Sequence, residues 1–249
     1  MILRPKRVYK VGGPALEDPR LLAPLAQEIL SFKGDAALVH GGGRQVERML
    51  GRLGVESKFV DGRRETSPAA MEIVEMVLTG SMNQALAAGL TRAGVPAVGI
   101  SGRDGDLVRA ALVQGLGQVG SPDAVNPGLL EALWEKRFVP EISPVSSGPR
   151  GEAVNVNADE AAQWIARAIG AETLVFLSDV DGVVLDGAPV ATLSAEQIEA
   201  RIEDGTIHGG MAMKVRMALD AARSGIPIVL IAGRARLSGG FPGTRISIN

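Results

Sequence analysis

VYKVGG, residues 8–13, decides how this chain is read. Val8, Tyr9 and Val11 favour a strand, Lys10 stands among them, and Gly12 and Gly13 follow at once. A short apolar run closed by glycines marks a buried strand that stops at a turn. The lysine then has two readings. It ends a strand facing water, before an ordinary Gly-Gly turn, or it stands beside a loop whose backbone can approach an anion, since glycine puts no Cβ in the way.

Working outward, five more short apolar runs recur: AALVH (36–40), PAVGI (96–100), FVPEI (138–142), TLVFLS (173–178) and PIVLIA (227–232). Amphipathic stretches at 21–32, 44–53, 69–93, 127–136, 158–169, 194–203 and 211–224 separate most of them. Strand and helix alternating at this spacing predict an α/β fold, a three-layer αβα sandwich around a mostly parallel central sheet. Residues 108–120 read as a hairpin or meander, TRISI (244–248) as an edge strand, and SPVSSGPRGEA (143–153) as the most loop-like segment. A second αβ run begins at AETLVFLSD, so a boundary is expected near 170, with lobes 1–170 and 171–249 sharing the sheet. A chain of 249 residues suits such a two-lobed body.

Composition narrows the classes. Aromatics are only 3% and small aliphatics dominate, as suits strands buried on both faces. The formal charge is −2 with signs interspersed, which argues against a nucleic-acid or polybasic membrane surface. No run reaches signal-peptide or membrane-spanning length. Cysteine is absent, which excludes disulfides, a thiolate nucleophile and thiolate metal sites and fits a reducing cytoplasm.

Four glycine-rich places fall at the carboxyl ends of predicted strands: Gly12-Gly13, Gly41-Gly42-Gly43, SGRDG (101–105) and DVDG (179–182). Ligands of open α/β sheets bind at those ends. HGGGRQVERML (40–50), three glycines and then a helix, reads as a phosphate cradle, because the helix adds its positive end. An ordinary tight turn explains any one of these loops; four on one sheet edge are harder to explain that way. No G-x-x-x-x-G-K-[ST] loop and no G-x-S-x-G elbow occurs. His40 and His208 lack metal spacing, and His40 reads as a capping or packing residue. In VNVNADEAA (154–162), Asn155 and Asn157 alternate on an extended segment and Asp159 enters the first turn of a helix, where Asn and Asp also serve as caps. HGGMAMKVRMALDAA (208–222) puts Lys214 early in a helix, a place that suits a lysine better when an anion is near. Two lysines beside glycine loops, without an evident general base, point to phosphoryl transfer, which needs charge stabilisation and in-line positioning.

At this point a resemblance spans nearly the whole chain. KVGG (10–13), VHGGG (39–43), DGRRETSPAAMEIVEMVLTGSMNQALA (61–87), AVGISGRDG (97–105), VNVNADEAA (154–162), LSDVDGV (177–183) and GGMAMK (209–214) resemble, in order, the motifs of the amino acid kinase family. The match is to members that phosphorylate the side-chain carboxylate of N-acetyl-L-glutamate in arginine biosynthesis. The resemblance implies a carbamate-kinase-like fold, ATP with Mg2+, and catalytic Lys10, Lys214 and Asp159, the carboxylate steadying both ammonium groups. It implies substrate contacts from Gly42, Gly43, Arg64 and Asn155. Nucleotide contacts would come from Gly12, Gly13, Asp179, Val180, Asp181, Gly182, Val183, Val184, Thr206, Ile207 and His208. No metal is expected on side chains, and a homodimer is expected through helix 69–90.

The chain departs from the family pattern at Gly62-Arg63-Arg64-Glu65-Thr66, where either arginine offers a carboxylate clamp and register favours Arg64. Asn83-Gln84 stands where an Asn-Lys pair is frequent, and no extra helix precedes the first strand, which suggests an arginine-insensitive dimer. The nearest rival is a sister kinase acting on 2-aminoadipate or glutamate held on a small acidic carrier protein, with Arg63 on a basic rim. A more distant one is a phosphatase of the haloacid dehalogenase type, since FLSDVDGVVLDG (176–187) resembles its aspartyl motif at Asp179 and Asp181. A non-catalytic sensor of the same fold is a third.

Overall fold

The computed structural model describes residues 4–12, 19–60, 62–178, 180–233 and 243–249. In chain order, strand β1 (Lys6–Val11) leads to helix α1 (Pro19–Ser31), β2 (Asp35–His40) and α2 (Gly43–Leu53). A short hairpin follows, β3 (Phe59–Val60) with β4 (Arg63–Arg64). Then comes a long helical rod: α3 (Pro68–Glu75), a π-helical turn (Met76–Met82) and α4 (Asn83–Arg92). After β5 (Ala97–Ser101), β6 (Val108–Leu112) and β7 (Val119–Val125) pair antiparallel, the expected hairpin. Next are α5 (Gly128–Glu135), β8 (Val139–Ser143), β9 (Val145–Ser147), β10 (Ala153–Val156) and α6 (Ala158–Ala168). The last third holds β11 (Thr173–Leu177), β12 (Val184–Leu185), β13 (Ala188–Pro189), β14 (Thr192–Ser194), α7 (Ala195–Glu203), α8 (Gly209–Arg223), β15 (Ile228–Ala232) and β16 (Thr244–Ser247).

The main sheet has eight strands in the order β14-β16-β15-β11-β1-β2-β8-β5. All its pairings are parallel except β15 with β16. The six apolar runs named from sequence supply its six central and right-hand strands. In β2, β8 and β11 nearly every residue is buried, which is why they read as continuous apolar stretches, whereas β5 at the edge is only partly buried. One face packs α6 and α8 over Val8, Val39, Leu174 and Ile231. The other packs α1 and α4 over Tyr9, Leu38 and Val175. Both faces are covered, so the three-layer expectation holds.

Two local expectations are corrected. TRISI is not at the edge: β14 adds a parallel strand outside β16. Residues 143–153 are not simply loop. Ser143 to Ser147 are buried, and β9 joins β10, β7 and β6 in a small closed barrel. Serine and proline suggested a loop because local composition does not record a strand that pairs with distant partners.

Candidate active site

Lys10 is placed by β1 between two parallel neighbours, Val39 of β2 and Phe176 of β11. Its Nζ lies 2.8 Å from Asp159 Oδ1. Asp159 sits in the first turn of α6, and Asn157 is the residue that caps this helix. Asn157 Oδ1 accepts from the N–H of Asp159 at 2.8 Å and of Glu160 at 3.4 Å. The capping reading therefore falls to Asn157, and the Asp159 carboxylate is left for the lysine.

Lys214 comes from the second turn of α8, and its Nζ donates to Ser178 Oγ at 2.5 Å. Ser178 directly follows β11, the strand beside β1. A Cβ built on Gly12 would lie 3.6 Å from Lys10 Nζ and 3.5 Å from the Leu177 carbonyl. Both lysines thus stand near one corner, by the carboxyl ends of the adjacent strands β1 and β11. Asp159 is paired with Lys10, while the described contact of Lys214 is Ser178.

On one side of this corner is a cleft of about 210 Å³ lined by Lys10, the three glycines 41–43, Arg63, Arg64, Asn155 and Asp159. Such a volume is below the ~300–1,000 Å³ usual for drug-sized ligands and suits a small metabolite. Gly42 is squeezed against Leu78 and Met82, so a larger residue would clash there. Gly43 opens α2, which no side chain caps, and space beside it is open. Its helix end offers positive charge to an anion.

The hairpin β3–β4 places both candidate arginines, and their surroundings separate them. Arg64 is buried, stacks 4.4 Å from the Phe59 ring centroid, pairs with Glu47 and donates to Ser57 Oγ at 3.1 Å and the Gly43 carbonyl at 3.2 Å. Arg63 turns to Glu160 at 2.8 Å. Asn155 Nδ2 donates to Thr66 Oγ1 at 3.1 Å, and Thr66 Oγ1 donates to the Arg64 carbonyl at 2.6 Å. Thr66 links Asn155 to the arginine hairpin, a role that sequence reading missed.

A second pocket of about 220 Å³ lies at the start of α8. Val180, Gly182, Val183, Val184, Thr206, Ile207 and His208 all line it, seven of the residues expected to hold nucleotide. Asp181 instead packs its carboxylate against Gly233. Gly13 and Asp179 lie outside the described residues. SGRDG does not join either pocket. Asp104 Oδ2 accepts from Ser101 N–H at 2.6 Å and Ser101 Oγ at 2.8 Å, closing that loop on itself.

Beneath the glycines lies a polar group that sequence reading only half foresaw. His40 is buried and its Nδ1 lies 2.7 Å from the Gly41 carbonyl, a packing role as expected. Its Nε2 is 3.5 Å from Glu141 Oε1, and Glu141 is equally buried. Burial lowers the His40 pKa to about 4 and pushes Glu141 well above the usual carboxylate range. The available signal was a glutamate inside the apolar run FVPEI.

The sequence model described as "Amino acid kinase family" matches residues 5–232. An acetylglutamate kinase from Rubrobacter xylanophilus is 46% identical over 246 residues, covering 96% of this chain and 94% of the relative. One from Geobacillus kaustophilus is 41% identical, with 96% and 95% covered. Among solved structures, carbamate kinase from Giardia lamblia bound to AMP-PNP superposes with a TM-score of 0.71 at 15% identity, covering 100% of this chain and 99% of that one. At that identity the last match speaks for the fold alone.

Proposed function

The chain belongs to the amino acid kinase family, and on that premise we infer that it is an ATP-dependent kinase of the N-acetyl-L-glutamate side-chain carboxylate, acting in arginine biosynthesis. The observation that supports the site reading is that Lys10, paired with Asp159, lines the glycine cleft, while Lys214 reaches Ser178 at the end of the neighbouring strand β11. The acyl amino acid occupies the glycine-lined cleft, with Arg64 gripping its α-carboxylate through a planar fork and Asn155 adding a polar contact. ATP occupies the pocket at the start of α8.

A carboxylate of reference pKa about 4.3 is already ionised at neutral pH, so no base is needed. One of its oxygens attacks the γ-phosphorus in line. The bond from that phosphorus to the β,γ-bridging oxygen breaks, and ADP leaves with the electron pair. Charge spreads over the phosphoryl oxygens meanwhile, and Lys10 and Lys214 neutralise it. Asp159 holds Lys10 in place. Mg2+ carried on the triphosphate would supply further positive charge there. Among the described residues no group of three His, Asp or Glu forms a separate cage for it.

In this reading residues 1–170 bind the acyl amino acid and 171–249 the nucleotide, in a cytoplasmic homodimer. The rod 69–90 offers the dimer surface, with Met76 exposed over an apolar hollow bounded by Glu72 and Thr79. Sedimentation of the wild-type chain against Met76→Glu tests that assembly. No helix among the described residues is long and apolar enough to cross a membrane. The carrier-linked alternative loses its motive, because Arg63 is tied to Glu160 rather than held on a basic rim. A hydroxamate assay with Mg-ATP tests the substrate. N-acetyl-L-glutamate should turn over well ahead of glutamate, N-acetylaminoadipate and carrier-linked substrates; its failure to react would refute the assignment.

A further inference from the structure

His40, Glu141 and Asn83, all buried, form a group directly under the glycine cradle that the transfer chemistry leaves unused. They come from β2, β8 and the first position of α4. Their contacts fix where the protons lie. The Gly41 carbonyl can only accept, so the 2.7 Å contact requires a proton on His40 Nδ1. Asn83 Nδ2 donates to Glu141 Oε2 and to the carbonyls of Ile100 and Glu141 at 3.1 and 3.0 Å. Three atoms of the group have no hydrogen-bond partner, Asn83 Oδ1, His40 Nε2 and Glu141 Oε1, and the last two face each other at 3.5 Å. A single proton between them serves both.

A trans peptide unit points its C=O and N–H in opposite directions, and no cis bond occurs among the described residues. His40 draws the Gly41 carbonyl toward the core. The Gly42 N–H belongs to the same peptide unit, so it faces the other way, to the cleft that Gly41 and Gly42 line. We propose that His40 is a positioning residue: its Nδ1–H locks the Gly41–Gly42 peptide so that the Gly42 N–H aims at an anion in the cleft, and Glu141 with Asn83 locks His40. Taking that anion to be the transferring phosphoryl group rests on the kinase reading above. Glycine alone would leave this peptide free to flip; the imidazole removes that freedom before any ligand binds.

The test has two arms. Long-range proton–nitrogen NMR on the wild-type chain reads the imidazole directly, and with two histidines a His208→Gln spectrum assigns the signals. The expected result is a proton on His40 Nδ1; an unprotonated Nδ1 overturns the proposal, whatever the substrate is. In the kinetic arm, His40→Leu should lower kcat about 10- to 100-fold per folded molecule, as a mis-aimed donor does, with both KM values within about threefold. His40→Asn, whose amide nitrogen falls near the Nδ1 position, should recover most of that loss. Glu141→Gln keeps a donor toward Nε2 and an acceptor toward Asn83, and should stay near wild type, whereas Glu141→Leu should behave like His40→Leu. Equal losses in His40→Leu and His40→Asn, or a loss of folded fraction with unchanged kcat, overturn the positioning role. If the wild-type enzyme prefers another carboxylate, the substrate reading fails while both arms can still be run on that substrate.

Discussion

At the scale of single residues, the adjacent arginines have different surroundings. Arg64 is stacked on Phe59, paired with Glu47 and directed at Gly43, whereas Arg63 is paired with Glu160. Arg64→Ala should raise KM for the acyl amino acid about 10- to 100-fold, the worth of a charge-assisted hydrogen bond, with a smaller effect on kcat. Steady-state kinetics with varied acyl amino acid checks this; an unchanged KM would remove Arg64 from the substrate clamp. Gly42→Ala should destabilise the fold by about 1–3 kcal/mol, since its Cβ runs into Leu78 and Met82. Thermal melting reads that loss, and an unaltered Tm would show that the wall yields. Lys10, Asp159 and Arg64 could be named as candidates because their motifs are local in sequence. Thr66 and Ser178 were not. Each acts through a contact to a residue far along the chain, Asn155 and Lys214, which spacing does not record.

At the scale of elements, β2 and β8 run parallel in register Leu38 with Glu141 and Val39 with Ile142, which brings His40 to Glu141. This pair sets a pH signature. In the folded chain His40 stays neutral down to about pH 4 and Glu141 stays protonated well above 4.5. In the unfolded chain they titrate near 6.5 and 4.5. Between those values both states carry one proton on the pair, so its contribution to stability is level. Above pH 6.5 the folded state holds the extra proton, and stability falls as pH rises, by up to about 1.4 kcal/mol per pH unit. Below 4.5 the unfolded state takes up the extra proton, and stability falls as pH drops toward 4. Glu141→Gln leaves only the histidine, so its contribution should rise from about pH 4 to 6.5 and then stay flat. Denaturant unfolding of both proteins from pH 4 to 9 checks this; parallel curves would contradict it. The strands and helices themselves were readable because each apolar run is bounded by turn residues. The small barrel was not, since its closure pairs Ser147 with Arg109 and Asn155 with Val119, residues far apart in sequence.

At the scale of the molecule, the parallel sheet gathers loops from distant parts of the chain on one edge. β1 and β2 present Lys10 and the glycine cradle, α6 presents Asp159, and β11 with α8 presents Ser178 and Lys214. Strand alternation foretold this edge, but not the order of strands upon it, because order depends on packing between elements rather than on any one of them. The proposed division of labour is then simple: one pocket for each substrate, with Lys10 and Lys214 serving the transferred group. The most direct test is the steady-state kinetics of Lys10→Ala and Lys214→Ala with N-acetyl-L-glutamate and Mg-ATP. The account predicts that each lowers kcat by about 10²–10³-fold while either KM moves only a few-fold, as removal of charge stabilisation at the transition state requires. A kcat close to wild type in either variant would contradict it.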